Sequence, residues 1–302
     1  MKNKKISIMI PAFNAEKNIR RCIESILNEE KNDEVEIVVV NDFSTDNTLN
    51  ILNEYKEKYN NIRVINNEQN YGVSKTRNIG IANSKGEYII MIDADDYINK
   101  GLLKLLIEEI QKEKNDIFRY KAVVKNDMSK KHPERFNIDN TEEILTGEEA
   151  IINWSKPQKQ YAVPWIYCIK KDIYNDVKFL EGVVHEDFGT IPLLILKAKT
   201  IKMLDFIGYN YIKNETGITS LNNENNEVSK AKDYLKQYDF LVENINQIYK
   251  DNIITNNTKK FILNEIKYRM PEKLRYLKQN RNKILYIAQL YKRGIFVLKG
   301  IT

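Results

Sequence analysis

The sequence predicts an α/β fold of the Rossmann-like kind: a mostly parallel central sheet flanked by helices, followed by a C-terminal helical extension. Three observations carry this. Apolar runs of four to six residues alternate with amphipathic stretches through the first hundred residues, the pattern of a parallel sheet with right-handed crossovers. Two of those runs, Ile37–Val40 and Tyr88–Ile92, are continuously apolar, as befits strands buried on both faces. From Glu227 onward the apolar residues recur only at helical spacing. The expected division is residues 1–220 for the α/β domain and 221–302 for the extension.

The elements follow in order. Lys5–Ile10 reads as a first strand, ending in the loop Pro11-Ala12-Phe13-Asn14. Ile19, Cys22, Ile23, Ile26 and Leu27 then form the apolar face of a helix. Val35–Val40 is a second strand, closed by Asn41-Asp42-Phe43-Ser44-Thr45-Asp46, in which Ser44 or Thr45 is expected to cap a helix reaching Tyr59. Ile62–Ile65 is a third strand. A glycine-containing loop, Asn70 to Gly80, leads into a short helix, and the Tyr88–Ile92 strand follows. Parallel strands bring their carboxyl ends to one edge, where ligands bind in open α/β sheets. The loops at Asn14, Asp42 and Asp93–Asp96 should therefore converge.

The stretch Asp93-Ala94-Asp95-Asp96 carries the chemistry. Three carboxylates within four residues repel one another and are costly to bury bare. They need open water or a cation, so the motif reads either as a solvated acidic turn or as a divalent-metal site that carries a phosphate ligand. Two Cys and two His at these spacings make no metal site, which leaves oxygen ligands. No G-x-G-x-x-G follows the first strand and no G-x-x-x-x-G-K-[ST] occurs, which excludes a dinucleotide pocket and a P-loop.

Beyond Asp96 the alternation stops. Leu102–Ile110 reads as a helix and Ile117–Val124 as a strand, with a polar loop over Asn126–Asn140. Trp154, Tyr161, Trp165 and Tyr167 could stack on sugar rings or simply fill the core. Pro164–Lys170 reads as a strand. His185, Glu186 and Asp187 open a helix; acids in a first turn also serve as a plain dipole device. Thr200–Phe206 and Ile207–Lys213 read as two strands, followed by a glycine- and hydroxyl-rich loop to Ser220.

Composition bounds the rest. At 302 residues and 42% hydrophobic content the chain can bury a sizeable core. Cys22 and Cys168 are expected as buried free thiols, consistent with a reducing compartment. No run reaches the length of a membrane span. Lys259–Thr302 carries 12 Lys and Arg against 2 Asp and Glu, a local balance of +10 in a chain of net charge +6, so the first 258 residues are net −4. The apolar stripe of this basic end (Leu274, Leu277, Ile284, Leu285, Ile287) is expected to pack on the catalytic domain or on a second subunit. Its charge offers peripheral contact with an anionic membrane surface. No nucleic-acid partner is expected.

The order and spacing of five motifs carry a resemblance. Pro11 to Asn14, Asn41 to Asp46, Asn70-x-Gly72 with Arg77-Asn78-x-Gly80, Asp93-Ala94-Asp95-Asp96 and Glu186-Asp187 together resemble the inverting family 2 glycosyltransferases of GT-A fold, over about residues 5–220. The resemblance implies sugar transfer from a nucleotide-diphosphate donor, usually a UDP-sugar, with Mn²⁺ or Mg²⁺. It implies a glycan or lipid-linked acceptor in bacterial surface-polymer synthesis, in the cytoplasm or at the inner face of the membrane. Carried over by position, it places Pro11, Asn14, Asp42, Lys75, Arg77 and Asp93 at the donor nucleotide, Asp95 on the metal, and Asp187 as general base with Glu186 beside it. Lys213 and Thr219 stand where some members hold the diphosphate with Arg and Ser. Phe43 stands where Gly is usual, which predicts a turn that avoids positive φ.

Three rival readings differ in their residues. A sugar-nucleotide nucleotidyltransferase would carry a Gly-rich, Arg-containing loop after the first strand, which Pro11–Arg20 lacks. A haloacid-type phosphohydrolase would place D-x-D after the first strand. A non-catalytic sugar-nucleotide-binding scaffold would have no need of both Asp95 and Asp187.

Overall fold

The computed structural model describes residues 4–29, 32–125, 136, 144–155, 161–213 and 224–273. The first half is built from β1 (Ile6–Ala12), α1 (Ile19–Leu27), β2 (Val35–Asn41), α2 (Thr48–Lys58), β3 (Ile62–Asn66), α3 (Val73–Asn83) and β4 (Tyr88–Met91). The second half adds β5 (Tyr97–Ile98), α4 (Leu102–Lys112), β6 (Ile117–Lys125), β7 (Ile144–Leu145), α5 (Gly147–Trp154), β8 (Tyr167–Lys170), α6 (Asp187–Lys197) and β9 (Ile201–Ile212). The described chain ends with α7 (Glu224–Lys250) and α8 (Asn256–Lys273).

One sheet runs in the order β3-β2-β1-β4-β8-β6-β9-β5, with β7 paired to β9. The first four strands are parallel, Ile8 facing Ile37 on one side and Ile90 on the other. All seven residues of β2 are buried, as a strand whose apolar run Ile37–Val40 lies between two helical layers requires. Past β4 the sheet is mixed: β8 runs antiparallel to β4 and β6, while β9 runs parallel to β6. The parallel order thus belongs to the half whose carboxyl edge forms the site.

Two close approaches set that edge. Gly80 lets α3 lie on β1, since a Cβ there would fall 2.5 Å from Met9 side-chain atoms; α3 carries Arg77 to the site. Gly208 does the same for β9, where a Cβ would fall 2.6 Å from Leu102. The break between two strands expected at Phe206–Ile207 is absent. The segment is one strand of 12 residues. The irregularity is absorbed as register shifts against β6 around Lys121, and the glycine serves packing rather than a turn.

The aromatic group is core. Trp154, Trp165 and Tyr167 are buried, and Trp165 stacks on Tyr209 and Tyr211 at ring distances of 4.5 and 5.5 Å. Cys22 and Cys168 are buried and free. The stripe of α7 (Ala231, Leu235, Tyr238, Leu241, Ile245) is buried, and α7 packs on α6 and α8. The stripe beyond Lys273, the loop at 126–140 apart from residue 136, and Thr219 lie outside the described residues.

Candidate active site

The carboxyl edges of β1, β2 and β4 do converge. Asn14, at φ 47°, joins the first two loops: its N–H donates to Ser44 Oγ at 3.0 Å and its Oδ1 accepts the Thr45 N–H at 2.8 Å. Neither Ser44 nor Thr45 caps α2. Ser44 donates to Asn41 Oδ1 instead, and Asp46 Oδ1 accepts the Thr48 N–H at 3.0 Å, so a carboxylate takes the place at the helix start. Pro11 lies in β1 against Val40 of β2.

Asp42 is 3% exposed and fully engaged. Its Oδ1 accepts from Asn67 Nδ2 at 2.7 Å and from the Tyr71 N–H at 2.8 Å, and its Oδ2 accepts the Gly72 N–H at 2.8 Å. It fastens the β2 loop to the start of α3. Phe43, contrary to expectation, takes φ 60° and is 48% exposed. The left-handed region costs a non-glycine residue about 1–2 kcal/mol. Asp42 and Ser44, each held by hydrogen bonds on either side of it, fix that conformation. Lys75 lays its ammonium over the Tyr71 ring at 4.0 Å.

Arg77 ties the two acidic motifs together. Its Nη2 donates to Asp93 Oδ1 at 2.9 Å and its Nη1 to Glu186 Oε1. Arg77 and Glu186 are both buried, whereas Asp93 is more open. The Arg77 guanidinium also faces the Phe179 ring at 5.4 Å. Residues 16 and 109 positions from Arg77 are thereby brought to one point.

The acidic stretch after β4 does not face outward as a block. Asp93 and Asp95 are half-buried, but Asp96 is wholly buried. Its Oδ2 meets the Tyr209 hydroxyl at 2.6 Å and its Oδ1 accepts the Ile212 N–H at 2.6 Å. Burial, with Asp93 and Asp95 beside it, pushes the Asp96 carboxyl up to about 9. Asp96 therefore pins the turn to β9 and is not one of the carboxylates open to water or a cation. Tyr209 also accepts the Asp93 N–H at 3.2 Å, and Arg21 Nη2 donates to the Asp95 carbonyl at 2.6 Å.

Asp187 opens α6 and Glu186 is its N-cap. Asp187 is half-buried, and its Oδ1 accepts the Phe188 N–H at 2.9 Å. Lys213 is exposed at the end of β9, where its N–H donates to the Lys125 carbonyl.

Among the described residues no group of three or more His, Cys, Asp or Glu side chains forms a metal cage. The donor set still fits a hard divalent cation that brings its other ligands with it. Asp93 and Asp95 are oxygen donors on one short turn, and Mg²⁺ in phosphate sites is commonly held by one or two carboxylates plus phosphate and water.

The glycosyl transferase family 2 model matches residues 7–178 of the chain. The chain belongs to glycosyl transferase family 2. It is 27% identical to glycosyltransferase GlyG of Streptococcus pneumoniae over 207 residues, 66% of this chain and 68% of GlyG. It is 31% identical to the poly(ribitol-phosphate) beta-N-acetylglucosaminyltransferase TarS of Staphylococcus aureus over 216 residues, 70% of this chain but 36% of TarS. The crystal structure of TarS 1–349 in complex with UDP-GlcNAc shares the fold at a TM-score of 0.61 and 22% identity, covering 99% of this chain and 94% of that one. The family 2 chain is thus a glycosyltransferase of GT-A architecture. Among its described residues no helix is long and apolar enough to cross a membrane.

Sequence reasoning named Arg77 and Glu186 but not their pairing, and it missed Asn67, Tyr209 and the inward turn of Asp96. Asn67 had no motif to mark it. Tyr209 sits in an apolar strand where a hydroxyl partner cannot be read from spacing.

Proposed function

We propose that this chain is a metal-dependent, inverting glycosyltransferase that moves a hexosyl or N-acetylhexosaminyl group from a UDP-sugar to a hydroxyl acceptor on a bacterial surface polysaccharide or glycoconjugate. The observation that carries this reading is the Arg77 bridge, which puts the Asp93–Asp95 turn and the Glu186–Asp187 pair at one carboxyl edge. The names of the family relatives, a poly(ribitol-phosphate) beta-N-acetylglucosaminyltransferase among them, support the substrate class.

In this reading Pro11, Asn14, Asp42 and Lys75 frame the nucleotide end of the site, and Asp93, placed by Arg77, faces the ribose and donor. Asp95 holds the cation, Mn²⁺ or Mg²⁺, which when bound supplies positive charge against the leaving diphosphate. Lys213 and Thr219 add donors for the diphosphate. As the bond to the diphosphate breaks, the anomeric carbon gains oxocarbenium-like charge. Asp187 takes the proton of the attacking hydroxyl. One displacement inverts the centre, with no covalent sugar–enzyme intermediate. Residues 1–220 form the catalytic domain in this account and 221–302 the extension. The basic end of that extension gives peripheral contact with the inner face of the cell membrane, where lipid-linked acceptors lie.

The test is UDP release from a panel of UDP-sugars, with Mn²⁺ or Mg²⁺ and with chelator. We expect slow metal-dependent release from at least one donor. Asp95→Asn should remain folded yet lose most of that release and the metal-dependent part of UDP binding. Equal release in chelator would remove the metal from this reading.

A further inference from the structure

The acidic pair lies in a turn that the C-terminal extension grips. Asp233, Tyr234 and Gln237 of α7 are spaced to share one helix face, and all three meet the residues flanking Glu186 and Asp187. The Val184 N–H donates to Asp233 Oδ2 at 3.2 Å, and Gln237 Nε2 donates to the Val184 carbonyl at 2.7 Å. The Gly189 N–H donates to Gln237 Oε1 at 3.1 Å. The His185 ring lies flat on Tyr234 at 5.4 Å, and Phe188 meets the same ring edge-on at 5.6 Å. Val184, His185, Phe188 and Gly189 are therefore all held by α7, while Glu186 is held by Arg77.

Two further facts make this grip more than packing. His185 adopts φ 57°, a conformation that persists in a non-glycine residue only where the surroundings over-determine it. Gln237 is wholly buried, and its amide spans the turn with one end on the residue two before Glu186 and the other on the residue two after Asp187. An amide that uses both its donor and its acceptor in this way fixes the distance between the two sides of the turn.

We infer that α7, although it lies in the extension beyond the 1–220 domain, braces the catalytic turn, and that Gln237 is a positioning residue for Asp187, setting where its carboxylate stands relative to the donor. The inference rests on the reading of Asp187 as general base. It assigns to the extension a part in the chemistry, distinct from any role of its basic end.

The experiment uses the full chain and a UDP-sugar that supports turnover. Gln237→Met keeps the length of the side chain and removes both hydrogen bonds; Gln237→Glu keeps an acceptor for Gly189 and loses the donor to Val184. Small misplacements of a catalytic group cost up to about 10²-fold, so Gln237→Met should lower kcat by about 10- to 100-fold with KM for the donor within about twofold. Gln237→Glu should lower it in the same sense, and it decides the matter if the Met variant does not fold. Because Gln237 acts through Asp187, Gln237→Met should add less than about twofold in an Asp187→Asn background, as expected for residues that work as a unit. Full additivity, or a lower melting temperature with unchanged kcat, overturns the inference while leaving the base assignment standing. Wild-type turnover in Asp187→Asn alone overturns the base assignment, and the role of Gln237 with it.

Discussion

Asp187→Asn should lower turnover by roughly 10²–10⁴-fold, the usual contribution of a positioned general base and about 3–5 kcal/mol of barrier. UDP affinity should barely change, because asparagine keeps the shape and the acceptor for the Phe188 N–H and loses only the capacity to take a proton. Glu186 is the competing candidate, and its surroundings disfavour it. Its carboxylate is buried and ion-paired with Arg77, whereas Asp187 is half-buried at the first turn of α6. Steady-state kinetics on Asp187→Asn and Glu186→Gln separates the two. A near wild-type Asp187→Asn beside a dead Glu186→Gln would reverse the assignment.

Arg77→Met should lower the free energy of unfolding by about 3–5 kcal/mol, the usual result of removing one partner of a buried ion pair. The cost comes from Glu186, left charged in a buried site, more than from the attraction lost. Asp93, more open to solvent, is rehydrated more cheaply. Removing both partners in Arg77→Met/Glu186→Met should therefore restore much of the stability, as replacement of buried pairs by apolar groups often does. Urea denaturation of the two variants checks this. A double variant as unstable as Arg77→Met would mean that Arg77 acts mainly through Asp93 and its stacking on Phe179.

The parallel half of the fold was legible because burial on both faces leaves a continuous apolar run, as in Ile37–Val40 and Tyr88–Ile92. Convergence of the three loops followed from strand polarity alone. What stayed hidden depended on partners far away in sequence. Asp96 reads as an outward-facing carboxylate until Tyr209 and the Ile212 N–H, over a hundred positions later, are seen to hold it in the core. Phe43 reads as barred from positive φ until Asp42 and Ser44 are seen to be tied on both sides. Asp233 and Gln237 fall off the apolar stripe of α7 and so look like solvent-facing residues. They are buried because the backbone of the Val184–Gly189 turn gives them polar partners. Periodicity reports apolar burial and says nothing of polar burial satisfied in this way.

A single displacement driven from one carboxylate leaves its record in the anomeric configuration of the product. An α-linked UDP-sugar is turned over in the NMR tube, and the newly formed sugar is followed by the coupling of its anomeric proton before mutarotation. The β anomer is expected, or a β-linked glycoside when an acceptor is present. Retention of the α configuration would rule out the single displacement, since one back-side displacement inverts the anomeric centre.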